Sequence, residues 1–151
     1  MEKKPRCIRG FEKVLLATDG SKFSTSAVDE AIEIAASSSA KLFVVLVVEI
    51  SADVEMWDAS GAEKIERASR KHLEAIRARA ERRGVSCEMV LHFGDEPYRD
   101  IVSEAEKRKA AVIIMGSHGR TGLTRLMMGS VVTRVIGHAP CKVLVVPLRK
   151  R

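Results

Sequence analysis

The chain has 151 residues, 46% of them apolar and 30% charged, which is room for one ordinary domain with a proper core and excludes a disordered chain. Aromatic residues are only 4%, so the core is expected to be aliphatic, and a base-stacking platform for single-stranded nucleic acid is disfavoured. The net charge of +6 can be accounted for by Lys3, Lys4, Arg6, Arg9, Arg149, Lys150 and Arg151 near the termini; the other basic residues alternate with Glu as on a solvated helix face, and nucleic acid is not an expected partner.

Residues 1–12 read as a charged lead-in. The short run 13–18 ends in the turn signal Asp19-Gly20-Ser21, and its brevity and β-branching predict a buried strand. Ala27, Val28, Ala31, Ile32, Ala35 and Ala36 then recur at helical spacing between Asp29, Glu30 and Glu33. They predict an amphipathic helix over about 24–38, with Ser21 or Ser24 as its N-cap. The uninterrupted apolar run 42–48 predicts a strand buried on both faces, as in a parallel sheet. Residues 50–60, with the lone Trp57, show no period and read as a loop.

A long helix is predicted over about 61–83, where Ala62, Ile65, Ala68, His72, Leu73, Ile76 and Ala80 trace one stripe and Gly84 is placed to end it. His72 stands at the edge of that stripe with no partner at metal-ligand spacing, so a ligand role is not expected. The alternating run 85–92 is a third strand. Gly94-Asp95-Glu96-Pro97 opens the next helix: proline suits its first turn, and the acids suit the positive end of its dipole. Its apolar side is Ile101, Val102 and Ala105, and it ends near 107–109. A fourth strand over 110–115 leads into a glycine-rich loop. A short helix over 130–136 is stopped by Gly137-His138-Ala139-Pro140, and the last strand, 142–147, closes on Pro147 where pairing ends.

Regular alternation of buried strands with helices predicts an α/β protein built on one open parallel sheet covered on both faces, in a single domain over 1–151. No run reaches the length of a membrane span, and no secretory leader is expected. Cys7, Cys87 and Cys141 have neither CxxC nor paired spacing, so no disulfide framework or zinc site is expected, and a reducing, cytoplasmic compartment fits.

A dinucleotide fingerprint GxGxxG belongs after the first strand, but Thr18-Asp19-Gly20-Ser21-Lys22 stands there, and no GxxxxGK[ST] occurs anywhere. What stands out is Gly116-x2-Gly119-x9-Gly129-Ser130. A strand ending in a glycine-rich loop that opens a helix presents backbone N–H groups to an anion such as a nucleotide phosphate.

That spacing resembles the universal stress proteins. So do Val14-Leu15-Leu16-Ala17-Thr18-Asp19-Gly20-Ser21, Gly94-Asp95-Glu96-Pro97, Ile113-Ile114-Met115-Gly116-Ser117-His118-Gly119-Arg120 and Ala139-Pro140-Cys141-Lys142-Val143-Leu144-Val145-Val146. The likeness covers about residues 12–147. It implies a five-stranded sheet of order 3-2-1-4-5, adenine nucleotide alpha hydrolase-like and Rossmann-like, and the ATP-binding branch of the family. With that order the winding reverses between strands 1 and 4, where open α/β sheets bind ligands; these strands end at Asp19 and Gly116.

The resemblance places the nucleotide against Ala17, Thr18 and Asp19, Val47, Met115, Gly116 and Ser117, Gly119 and Arg120, and Gly129, Ser130 and Val131. The chemistry suggests their roles. Glycines let the backbone approach phosphate and turn tightly. The N–H groups of Ser130 and Val131 and the Ser130 hydroxyl bind phosphate oxygens; Ser130 is equally a plain N-cap. The anion Asp19 belongs at the ribose or adenine end. Val47 matches the family position whose backbone reads adenine, and Met115 packs beside the nucleoside. Arg120 and Arg125 are either phosphate clamps or solvated loop residues. His118 has no nucleophile or orienting carboxylate nearby in sequence.

The expectation is therefore a stress or signalling module that binds ATP, with Mg or Mn carried by the phosphates, and forms a homodimer through the last strand. ATP occupancy would bias loop 117–128 between ordered and mobile forms, and an unidentified protein partner would read the difference. A slow ATPase or phosphotransfer enzyme ranks lower, because a Walker lysine and a catalytic base are missing. An interaction module without nucleotide also ranks lower, because the glycine spacing is intact.

Overall fold

The computed structural model describes residues 9–50, 59–119 and 128–149; Cys7, Trp57, Arg120 and Arg125 lie outside them. The five apolar runs form strands β1 (Lys13–Thr18), β2 (Lys41–Glu49), β3 (Cys87–Gly94), β4 (Val112–Gly116) and β5 (Lys142–Val146). They make one sheet of order β3-β2-β1-β4-β5, parallel at every pairing, which is the expected order. Between them lie helices α1 (Thr25–Ser38), α2 (Ala59–Arg82), α3 (Pro97–Arg108) and α4 (Ser130–His138).

Right-handed crossovers decide which face each helix covers. The chain steps from β1 to β2 to β3 in one direction, then returns past β1 to β4 and β5. The first two helices therefore cover one face and the last two the other. Side chains alternate accordingly. Val14, Leu16, Leu42, Val44 and Ile114 pack with Ala27, Ala31, Leu73 and Ile76. Leu15, Phe43, Val45, Ile113 and Met115 pack with Ile101, Ala105, Val132 and Val135. Each fully buried leucine contributes on the order of 2 kcal/mol by leaving water.

The structure shifts several expected positions. Ser69, not Ala68, is buried on α2; it lies four residues from both Ile65 and Leu73, so it shares their stripe, while Ala68 is turned away from it. The strand β3 begins at Cys87, with buried Val85 just before it. α4 runs through Gly137 to His138 and ends where the Ala139 N–H reaches the Val135 carbonyl at 2.8 Å. Pro140 rather than Gly137 is the barrier to continuation. Before α1 there is a 3-10 turn, Lys22–Ser24, capped by Ser21, whose hydroxyl accepts the Phe23 N–H at 3.3 Å. Ser24 stands at the N-cap of α1 but makes no capping bond with its side chain.

Among the described residues, one charged side chain is buried. Glu104 on α3 is only 6% exposed; it accepts from Arg108 Nε at 2.7 Å and pairs with His92 Nε2 at 2.9 Å. Arg108 extends the chain to Glu88 at 2.6 Å and lies over the Phe43 ring. Burial pushes the Glu104 carboxyl up, but the hydrogen bonds from Arg108 and His92 outweigh it and hold the group below the usual carboxylate range. Among the described residues, no helix is long and apolar enough to cross a membrane.

Candidate functional site

Two chain segments meet at the C-terminal ends of β1 and β4. β1 ends in Thr18, and Gly20 turns the chain with φ of 78°, a conformation that suits glycine. The turn is held by Asp19, whose Oδ1 accepts the Ser21 N–H at 2.9 Å. Inside it, the Thr18 hydroxyl meets Ser24 Oγ at 2.9 Å and His72 Nε2 at 3.2 Å. Ser24 donates in turn to the Ser21 carbonyl at 2.8 Å.

β4 ends in Gly116, and the Ser117 N–H reaches the Val146 carbonyl at 3.1 Å. The Gly129 N–H donates to the Ser117 carbonyl at 2.9 Å, which ties the two ends of the glycine-rich loop together. Gly129 is the N-cap of α4, with Ser130 inside the first turn, so Ser130 is not the cap the sequence allowed. Gly129 has no side chain to offer, and no side-chain capping bond is made. The first N–H groups of α4 therefore point out of the helix without a side-chain cap, at the positive end of its dipole.

Gly116, Gly119 and Gly129 are not among the described residues with positive φ, so a tight turn is not what calls for glycine there. At Gly119 space is: a Cβ there would stand 3.3 Å from Asp19 Oδ2, whereas at Gly116 and Gly129 it would meet its nearest neighbours at 3.4 Å and 3.6 Å, ordinary contact distances. The Gly119 contact also brings the two halves of the site face to face.

Between them is a cleft. Of the residues named from sequence it is lined by Ala17, Thr18, Asp19, Val47, Met115, Gly116, Ser117, Gly119, Gly129, Ser130 and Val131; Arg120 lies outside the described residues. Ser24, Glu49, Pro97, Ile101, His118 and Val132 also line it. Ser117 Oγ and His118 Nδ1 are 2.8 Å apart. Its lining combines the carboxylates Asp19 and Glu49 with the α4 N-terminus, the positive end of that helix's dipole. Such a cleft suits a ligand with an anionic end and a neutral, hydrogen-bonding end. No group of three or more His, Cys, Asp or Glu among the described residues is placed to hold a metal ion.

Residues 10–147 match the model of the Universal stress protein family. A universal stress protein of Methanocaldococcus jannaschii is 36% identical over 146 residues, spanning 93% of this chain and 85% of its own. A solved member of that family from Burkholderia pseudomallei is 30% identical with a TM-score of 0.72, spanning 92% of this chain and 98% of its own. A universal stress protein solved in complex with cAMP is 28% identical with a TM-score of 0.66, over 92% and 98%.

Proposed function

The chain belongs to the universal stress protein family, and from that premise we propose that its cleft binds an adenine nucleotide, ATP foremost. The observation that carries this is that Asp19 and the N-terminus of α4, which Gly129 leaves without a side-chain cap, line one cleft at the ends of β1 and β4. The N–H groups of Ser130 and Val131 take the phosphates, with the Ser130 hydroxyl beside them. Gly116, Gly119 and Gly129 leave room for that approach, Ala17, Thr18 and Ser117 complete the walls, and Arg120 lies next in the chain to Gly119. Asp19 accepts from a ribose hydroxyl or the adenine end, the Val47 backbone reads adenine, and Met115 packs beside the nucleoside. Any Mg or Mn arrives bound through the phosphates. The complex of a relative with cAMP supports the nucleotide class.

In this reading the protein is a single-domain cytoplasmic stress or signalling module. Nucleotide occupancy biases loop 117–128, whose residues 120–127 lie outside the described ones, between two forms, and a protein partner reads the difference. The half-buried edge strand β5 joins two copies into a homodimer, which would cover an otherwise apolar edge. Calorimetric titration with ATP, ADP, AMP and GTP, repeated with Gly129→Val, tests the site. Adenine nucleotides should bind and the variant should not. No heat with any nucleotide, or full binding by the variant, would sink the reading. Sedimentation at micromolar concentration should show a dimer.

A further inference from the structure

We propose that His72 is a positioning residue of the cleft, donating from Nε2 to Thr18 Oγ1 and so fixing the turn that carries Asp19. The inference rests on the nucleotide reading of the cleft for its consequence, but on hydrogen-bond geometry for its substance.

Each hydroxyl has one proton to give. Ser24 Oγ is 2.8 Å from the Ser21 carbonyl oxygen, a separation that sets lone pairs against each other unless the Ser24 proton lies between them. With that proton used, the 2.9 Å bond between Ser24 and Thr18 needs the Thr18 proton. Thr18 Oγ1 can then only accept, and it does so from the Gly20 N–H at 3.3 Å and from His72 Nε2 at 3.2 Å. His72 must therefore carry its proton on Nε2. Its N–H completes a chain, directed by the Ser21 carbonyl at its far end, that runs from His72 through Thr18 and Ser24.

That chain closes the Asp19-Gly20-Ser21 turn from inside. Thr18 and Ser24 are 6% and 4% exposed, so water is a poor substitute for a lost partner. His72 reaches this point from α2, 54 residues away in sequence. It interrupts a stripe otherwise made largely of Ile65, Leu73, Ile76 and Ala80, where packing alone would be served by leucine.

The test pairs two variants with a spectrum. Long-range 1H–15N NMR of the full chain should find His72 protonated at Nε2. His72→Leu should shift the Asp19 and Gly20 amides and weaken ATP binding roughly 3- to 30-fold, the scale of one buried hydrogen bond. His72→Gln, which keeps a donor at similar reach, should hold affinity within about twofold of the parent. A bare Nε2 with the proton on Nδ1, or parental affinity and unshifted turn amides in His72→Leu, would overturn the proposal. If the parent bound no adenine nucleotide, the function reading would fail, and the tautomer and amide shifts, read without nucleotide, would still decide the role of His72.

Discussion

Gly119 lacks a Cβ at the point where Asp19 comes nearest. Gly119→Ala would put a methyl group 3.3 Å from Asp19 Oδ2, and the carboxylate must yield by a few tenths of an ångström. We expect ATP affinity to fall roughly tenfold with little change in melting temperature, since a short shift in a positioned ligand contact costs on the order of 1 kcal/mol; calorimetry and a thermal scan check both. Glu104 makes a prediction in pH. Its folded pKa is held below the ordinary 4.5 by Arg108 and His92 against the pull of burial. A carboxyl shifted down stabilises fully above its unfolded pKa and loses that stabilisation as pH falls through the folded one. Urea melts from pH 7 to pH 3 should therefore show stability draining below the ordinary carboxylate range, with a flatter acid limb in Glu104→Gln. Glu104→Ala at neutral pH should cost about 2 kcal/mol, since Arg108 loses its buried partner but keeps Glu88.

α4 starts without a side-chain cap, and this can be reversed by design. Gly129 has φ of −60° and ψ of 153°, extended backbone that any capping residue adopts. Gly129→Asp should cap the helix and raise the melting free energy by about 0.5–1 kcal/mol, while placing an anion where phosphate would sit and abolishing ATP binding. A variant more stable yet still binding ATP would contradict the phosphate assignment. Elements of this kind were largely legible in sequence, because continuous apolar runs and helical stripes report burial directly. Their ends were less so: Gly137 looked like a stop, yet glycine can stay in the helix when proline waits three residues on. Strand order is invisible to periodicity and came from the family resemblance. Asp19 and the glycines of the cleft were legible because they are unusual residues at strand ends. Glu49, Pro97 and Ile101 were not, being ordinary residues delivered by other elements. The bond from His72 on α2 to Thr18 on β1 was beyond reach, since nothing local in the helix signals a partner 54 residues away.

At the scale of the whole molecule, the sheet reverses its winding between two strands that are distant in the chain. Leu16 of β1 sits beside Ile114 of β4, and the cleft exists only once they have met. During synthesis at roughly 5–20 residues per second, β1 would emerge several seconds before its partner is made. In that interval β1 can pair only with β2, and its other edge stands open. A nascent chain of this kind exposes an unpaired, apolar edge for the whole delay, a hazard for association with neighbouring chains. The same ordering says when a nucleotide can act. If the β1–β4 closure follows the rate-limiting step, ATP has nothing to grip during folding and holds only the finished molecule. Saturating ATP should then slow unfolding in a denaturant-jump experiment and leave the refolding rate unchanged. Faster refolding with ATP would mean that the closure belongs to the folding nucleus, so that the ligand helps to build the protein that binds it.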